Sequence, residues 1–319
     1  MAKLDLEITE DRVNTLSWLR TLEIKCSRQD SESDRSFDFA YQIWEKVSEQ
    51  MWFLGYWNDY FNCANIVLKS AKAVGNIAIK AQLLGELGWV CMEWEEFAKA
   101  EQYFLESLQT YESMDDRRKQ CRLLRYLGVL SHRQNKPDLA LKYYRLAWDL
   151  VAANSLGELA NETWAFSTAE LPNVLGELYL DLQDFPASYR ELNLSLETYR
   201  YLINRYRYYQ ADPILNLGRW HFLQGDLEKA EKYYQECLLL CEEISRPDKQ
   251  ASALLNLAEL AEARGMWERA IELAAEAEQV ANTEIRSVRD RAARFREKII
   301  KKKVSITMKE LIRKRKQKK

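Results

Sequence analysis

The sequence predicts an all-α fold built from repeated antiparallel helix pairs, on three observations. Glycine (10) and proline (5) are scarce over 319 residues, whereas sheet-rich folds use such residues in their turns. Apolar residues recur three and four apart through most of the chain, the period of a helix with one buried stripe. A segment of about 40 residues returns several times at constant phase.

The repeat is plainest in "LGELGWVCMEWEEFAKAEQYFLESL" (84–108) and "LRYLGVLSHRQNKPDLALKYYRLAW" (124–148). It continues in "VLGELYLDLQDFPASYRELNLSL", "NLGRWHFLQGDLEKAEKYYQECL" and "NLAELAEARGMWERAIELAAEA". Small residues anchor each copy at Gly88, Gly128, Gly176, Gly218 and Ala258, and a weaker first copy has Ser48 in that slot. Successive spacings are 40, 40, 48, 42 and 40. Each copy reads as two amphipathic helices around a short turn ("EWEE", "QNKP", "LQDF", "LQGD", "ARGM"). The small anchors, with Ala100, Ala140, Ala230 and Ala270 in the second helices, belong where two helix axes approach most closely. Phe104, Tyr144 and Tyr234 are expected to fill the groove toward the next copy. Pro137 and Pro186 start second helices, where a missing N–H costs little, and Pro247 falls between copies.

These residues resemble the tetratricopeptide repeat, W-x2-L-G-x2-Y…A-x3-F…P. Leu87-Gly88, Ala100 and Phe104 match it, as do Leu217-Gly218, Ala230 and Tyr234; the closing proline is generally missing. The longer period is similar to the long-repeat subtype, and most closely to the sensor arrays of bacterial signal-transduction ATPases. The resemblance implies a right-handed superhelix of about six repeats plus capping helices. The expected layout is a capping helix and polar loop over 1–36, then an array over 37–282. Its units lie near 41–75, 81–115, 121–155, 169–207, 211–245 and 251–282. A capping helix over 283–300 and a basic tail over 301–319 follow. The single helix expected at 9–26 caps the first unit. Around "NSLGELANETWAFSTAE" eight extra residues either extend a helix or form a loop. "YRYLINRYRYYQ" (199–210) is expected to pack in the array with a basic edge.

Chemistry is hard to find. There is no G-x-x-x-x-G-K, G-x-G-x-x-G, G-x-S-x-G or H-E-x-x-H. The two histidines, His132 and His221, lie in different repeats, and the six cysteines form no C-x-x-C, so no metal or other cofactor is expected. Buried thiols in a reducing cytoplasm account for the cysteines. No apolar run approaches the ~20 residues of a membrane span, and "MAKLDLEITEDR" is not a secretory signal. A non-catalytic protein is expected.

What remains is surface, and a repeat stack offers an extended wall for a partner protein or peptide. The family's inward-facing positions fall on Trp52, Phe53, Trp89, Met92, Arg122, Arg125, His132, Arg133, Asn173, Glu177, Arg219 and Phe222. Aromatics with arginines suit a partner carrying acidic and apolar side chains. The other reading is that the tryptophans pack between units and the arginines pair with neighbouring glutamates. The carboxylate clamp of chaperone-binding relatives is absent, because its positions hold Gly85 and Trp89. A scaffold or adaptor in bacterial signalling or regulation is the expected function. A peptide-sensing receptor is a further option, weakened because the roughly 35 residues before the array are too few for an effector domain.

The end of the chain adds a charge asymmetry. Residues 291–319 carry 14 Lys/Arg against 2 Glu, a net of +12, so the preceding residues must carry −14 for the overall −2. Lys301, Lys302, Lys303, Lys309, Arg313, Lys314, Arg315 and Lys316 are candidate polyanion contacts, and Thr307 with Glu310 matches a capping box for a further short helix. The tail is a solvated terminus, or it binds nucleic acid or another acidic surface, or it folds back on the acidic body.

Overall fold

The computed structural model describes residues 9–28, 30, 32–154, 164–281 and 285–317. Among these the chain forms fourteen α-helices, one 3-10 segment and no strand. It divides into two compact units, Met1–Tyr206 and Arg207–Lys319. The first contains α1 (Thr9–Cys26), α2 (Ser33–Phe53), α3 (Trp57–Ala73), α4 (Ile77–Glu93), α5 (Phe97–Ser113), α6 (Arg117–Arg133), α7 (Pro137–Asn154), α8 (Ala165–Asp181) and α9 (Phe185–Tyr201). The pairs α4/α5, α6/α7 and α8/α9 pack most extensively, and α1 packs on both α2 and α3. The second contains α10 (Ala211–Leu223), α11 (Leu227–Ile244), α12 (Pro247–Ala263), α13 (Trp267–Ala281) and α14 (Arg286–Gln317), with α10/α11 and α12/α13 as pairs and α14 laid on α13.

The repeat length follows from one link used again and again. Left-handed residues fall at Gly55, Gly75, Glu95, Asp115 and Asn135, and again at Gly225, Ser245 and Gly265, twenty residues apart. Helices α3, α4, α5 and α6 are each 17 residues long, so a helix plus a three-residue link gives one step, and two steps give the 40-residue repeat. At each link the residue after the left-handed one donates its N–H five residues back: Asn76 to the Ala71 carbonyl (2.9 Å), Glu96 to Cys91 (2.8 Å), Lys136 to Ser131 (2.9 Å). That bond satisfies a carbonyl the ending helix cannot use. Often the same residue then starts the next helix. Asn76, Asp116, Asp184 and Asp226 accept from the N–H groups of Ile79, Lys119, Ala187 and Lys229. A single asparagine or aspartate thus closes one helix and opens another.

The small anchors sit where expected, but the large residues facing them serve their own pair. A Cβ on Gly128 would lie 2.3 Å from Cε1 of Tyr144, and one on Gly176 would lie 2.6 Å from Cγ of Leu192. Tyr144 and Tyr234 lie over the glycine of their own repeat rather than only filling the groove to the next; Phe104 does both, 5.4 Å from Tyr126 of the following pair. Gly128→Ala forces the buried Tyr144 ring aside, and overpacking of this kind costs about 1–3 kcal/mol. The expected result is a lower urea midpoint at unchanged slope.

Across residues 199–210, α9 ends at Tyr201, and Ile203–Gln210 is a 3-10 segment with Tyr206 kinked at φ −118°, ψ 19°. One expectation about helices is corrected. No break separates a capping helix from a second short helix after residue 300, because α14 runs unbroken from Arg286 to Gln317. Of the stretch with eight extra residues, 155–163 lies outside the described residues, between the end of α7 and Trp164.

Candidate functional site

The first helices of the first unit present matching stripes at four-, three- and four-residue steps: Gln82, Glu86, Trp89 and Glu93 on α4, then Arg122, Tyr126, Val129 and Arg133 on α6. Such a stripe follows one face of a helix. On α8 the equivalent positions are Glu170, Val174, Glu177 and Asp181. A strongly cationic helix therefore lies between two that supply carboxylates.

Most of these charges tie repeat to repeat. Arg133 pairs with Glu93 of α4 at 2.6 Å, and His132 with Asp181 of α8 at 2.9 Å. Arg125 is buried and pairs with buried Glu170 at 3.0 Å, while the Tyr199 hydroxyl donates to the other Glu170 oxygen at 2.5 Å. The Arg125 guanidinium also covers the Tyr126 ring at 4.7 Å. Met92, expected on the wall, is wholly buried in the core with Phe104, Leu127 and Leu130, because its position on α4 turns toward α5 and α6. Asn173 is buried as well, and Glu177 is half-buried. Trp52 packs edge-on to Tyr60 (5.2 Å) and Trp89 against Tyr126 (4.8 Å), both half-buried. The Phe53 side chain lies outside the described residues. Arg219 and Phe222 belong to the second unit, where Arg219 reaches Asn216 at 3.5 Å.

Arg122 differs from the other arginines. Its Nε is buried, and among the described residues no acceptor reaches it. Glu86 is the nearby acid, but its oxygens accept from the Tyr60 hydroxyl (3.0 Å) and from Gln82 Nε2 (3.0 Å) rather than from Arg122. Tyr111 and Tyr126 complete the surround. Burial pushes the Tyr111 phenol up to about 12, so it stays a neutral hydroxyl. Burial first, then Arg122 and Arg118, push the Lys119 ammonium down to about 8. The sequence named Arg122 but missed Lys119, Tyr126, Glu86 and Tyr111. The four-three-four stripe through Arg122 would have reached Tyr126 and Lys119.

Residues 167–238 and 209–283 match the tetratricopeptide repeat family model. Tetratricopeptide repeats are thus matched over residues 167–283, a little over a third of the chain. Three solved structures of similar fold show the resemblance at low sequence identity. The Rap conjugation regulator of plasmid pLS20, in complex with the Phr* peptide, is 13% identical over 86% of this chain and 78% of its own, with a TM-score of 0.57. A Rap protein complexed with competence and sporulation factor is 14% identical over 87% and 78%, TM-score 0.55. A signal-transduction ATPase with a tetratricopeptide sensor from Pyrococcus horikoshii is 15% identical and covers 94% of this chain but 46% of its own, TM-score 0.56. No curated protein sequence matches the chain.

In the second unit, the root of the basic segment is already paired. Lys302 reaches Glu262 of α12 at 2.9 Å and lies over the Trp267 ring at 4.7 Å, Lys303 reaches Glu268 of α13 at 2.5 Å, and Lys301 pairs with Glu297 one turn back at 2.6 Å. The side chains of Lys309, Arg313, Lys314, Arg315 and Lys316 lie outside the described residues. Among the described residues no three of His, Cys, Asp and Glu are grouped to hold a metal ion, and no helix is long and apolar enough to cross a membrane. All six cysteines are free and buried, and burial pushes the Cys63 and Cys91 thiols up to about 12.

Proposed function

We propose that this chain is a non-catalytic scaffold that binds an extended segment of a partner protein across the first-helix face of its first unit, in bacterial signalling or regulation. The observation that carries the reading is the surface around Tyr126. Half-buried aromatics there stand beside an arginine whose donor is unused, a combination typical of binding hot spots. Arg125 and Arg133 are engaged in ties between repeats, which leaves them to hold the face in shape. That two structures of similar fold are complexes, one with a peptide, supports a peptide-like segment as the ligand. Free, buried thiols suit a reducing cytoplasm.

A second reading, nucleic-acid binding through α14, is favoured by the density of lysine and arginine after Ile300. One experiment separates the two. The full chain is used to capture partners with and without nuclease, beside Tyr126→Ser, with the Tm of each protein recorded. The scaffold reading expects one protein species that survives nuclease and is depleted several-fold by Tyr126→Ser at a temperature well below that variant's Tm, which falls because the ring packs against Trp89 and Phe104. Loss on nuclease treatment alone overturns it in favour of the second reading.

A further inference from the structure

We propose that Arg122 and Lys119 form a subsite for a carboxylate carried by the bound segment. This rests on the reading of the first-helix face given above. Six lysines and arginines lie on α6, and their partners can be assigned one by one. Arg117 reaches Asp115 at 3.3 Å, Arg125 reaches Glu170 at 3.0 Å and Arg133 reaches Glu93 at 2.6 Å. Among the described residues no acid lies within ion-pair distance of Arg118, Lys119 or Arg122. The one carboxylate near Arg122, Glu86, comes from the preceding repeat; its oxygens accept from Tyr60 and Gln82, and neither is within hydrogen-bond or ion-pair distance of Arg122. The site thus has an excess of positive charge, and one of its donors, the Arg122 Nε–H, is buried and unused.

A buried donor without an acceptor is unfavourable, and a bound acceptor removes that cost. A guanidinium presents Nε–H and one Nη–H side by side, a spacing that fits the two oxygens of a carboxylate. The low proton affinity of Lys119 has the same origin: burial acts first, and the like charges of Arg122 and Arg118 add to it. Facing Lys119 are Arg118 and Arg122 on its own helix, Asp116 at the helix start and Glu86 from α4. A bound carboxylate adds the missing negative charge, so it raises the Lys119 value, and by reciprocity binding weakens as pH rises above about 8. Tyr126, half-buried, flanks the position and supplies an apolar ring face for the chain that bears the acid, while Tyr111 backs the site from the core.

The test uses the full chain labelled with 15N, with the Arg122 Nε–Hε resonance assigned by its absence from Arg122→Gln and, should that variant not fold, from Arg122→Lys. Two probes are added at low salt: hexaglutamate blocked at both ends, and hexaserine with a free C-terminus. Movement of the Arg122 resonance with hexaglutamate indicates a side-chain carboxylate, and movement with hexaserine a chain-terminal one; either supports the subsite. Lys119→Gln, at a half-buried position, keeps the reporter and is expected to weaken the probe that binds by about tenfold. Hexaglutamate that settles only on the basic residues of α14 leaves Arg122 unmoved, and that result overturns the proposal. So does equal affinity in Lys119→Gln. If Arg122 stays unmoved while Tyr126→Ser still loses the captured partner, the scaffold reading stands and only the subsite falls. If Arg122 moves while Tyr126→Ser keeps its partner, the subsite stands and the wider reading falls.

Discussion

Arg246→Ala is expected to lower the stability of the second unit by about 3–5 kcal/mol, the cost of breaking a buried ion pair from one side. Arg246 is 7% exposed and stands at the start of α12, directly after left-handed Ser245. Its Nη1 donates to Asp212 at 2.5 Å and to the Tyr208 carbonyl at 2.8 Å, its Nε to Asp248 at 3.3 Å, and the guanidinium lies 4.4 Å over the Tyr208 ring. Alanine leaves Asp212 with Lys249 alone, at 2.7 Å. The pH dependence has a definite sign. Burial alone would raise the Asp212 carboxyl, but Arg246 and Lys249 outweigh burial and hold it at about 2. The folded value lies below the ordinary one near 3.9. The stabilisation is therefore fully present above about pH 4 and is lost as pH falls toward 2. Urea titrations at pH 7 and pH 3 should show a large loss for Arg246→Ala at pH 7 and a smaller difference from wild type at pH 3. A loss under about 1 kcal/mol at pH 7 contradicts the account.

Arg125→Ala is the corresponding expectation for the first unit, again about 3–5 kcal/mol. The substitution removes the buried cation paired with Glu170, which is 8% exposed and keeps the Tyr199 hydroxyl among its donors. Replacing both charges, as Arg125→Met with Glu170→Leu, is expected to cost far less, because no uncompensated charge remains; the residual loss is the Tyr199 hydroxyl left without its acceptor. A double-mutant cycle by urea unfolding checks this, and strictly additive losses contradict it. Loss of partner binding in Arg125→Ala would then report a damaged face, because this arginine acts through the fold.

The repeat was legible because close approach leaves little choice of residue. Gly88, Gly128, Gly176 and Gly218 each face a side chain that a methyl group would strike, so the small residue recurs and marks the period. The links were only partly legible. Gly55, Gly75, Gly225 and Gly265 look like turn residues, but Glu95, Asp115 and Gln183 adopt the same left-handed backbone and carry no such mark. At the candidate site the cations could be read but their partners could not. The acid bound by Arg133 lies 40 residues away and that of Arg125 lies 45 away, so pairing depends on how neighbouring repeats face each other. Sequence position also placed Met92 on the wall, where a shift of one residue along a helix turns a side chain by about 100° and into the core.

The central claim is that a partner segment lies on the face around Tyr126, and site-specific photo-crosslinking tests it most directly. p-Benzoylphenylalanine is placed at Tyr126 in one full-length protein and at Leu105, an exposed residue on the second helix α5, in another. Illumination in cells should give one discrete crosslinked protein from position 126 that is absent from position 105. Its crosslinked peptide should contain an aspartate, a glutamate or its own C-terminus within a few residues of the attachment point. The same adduct from both positions, or no adduct from 126 while one forms at 105, contradicts the claim.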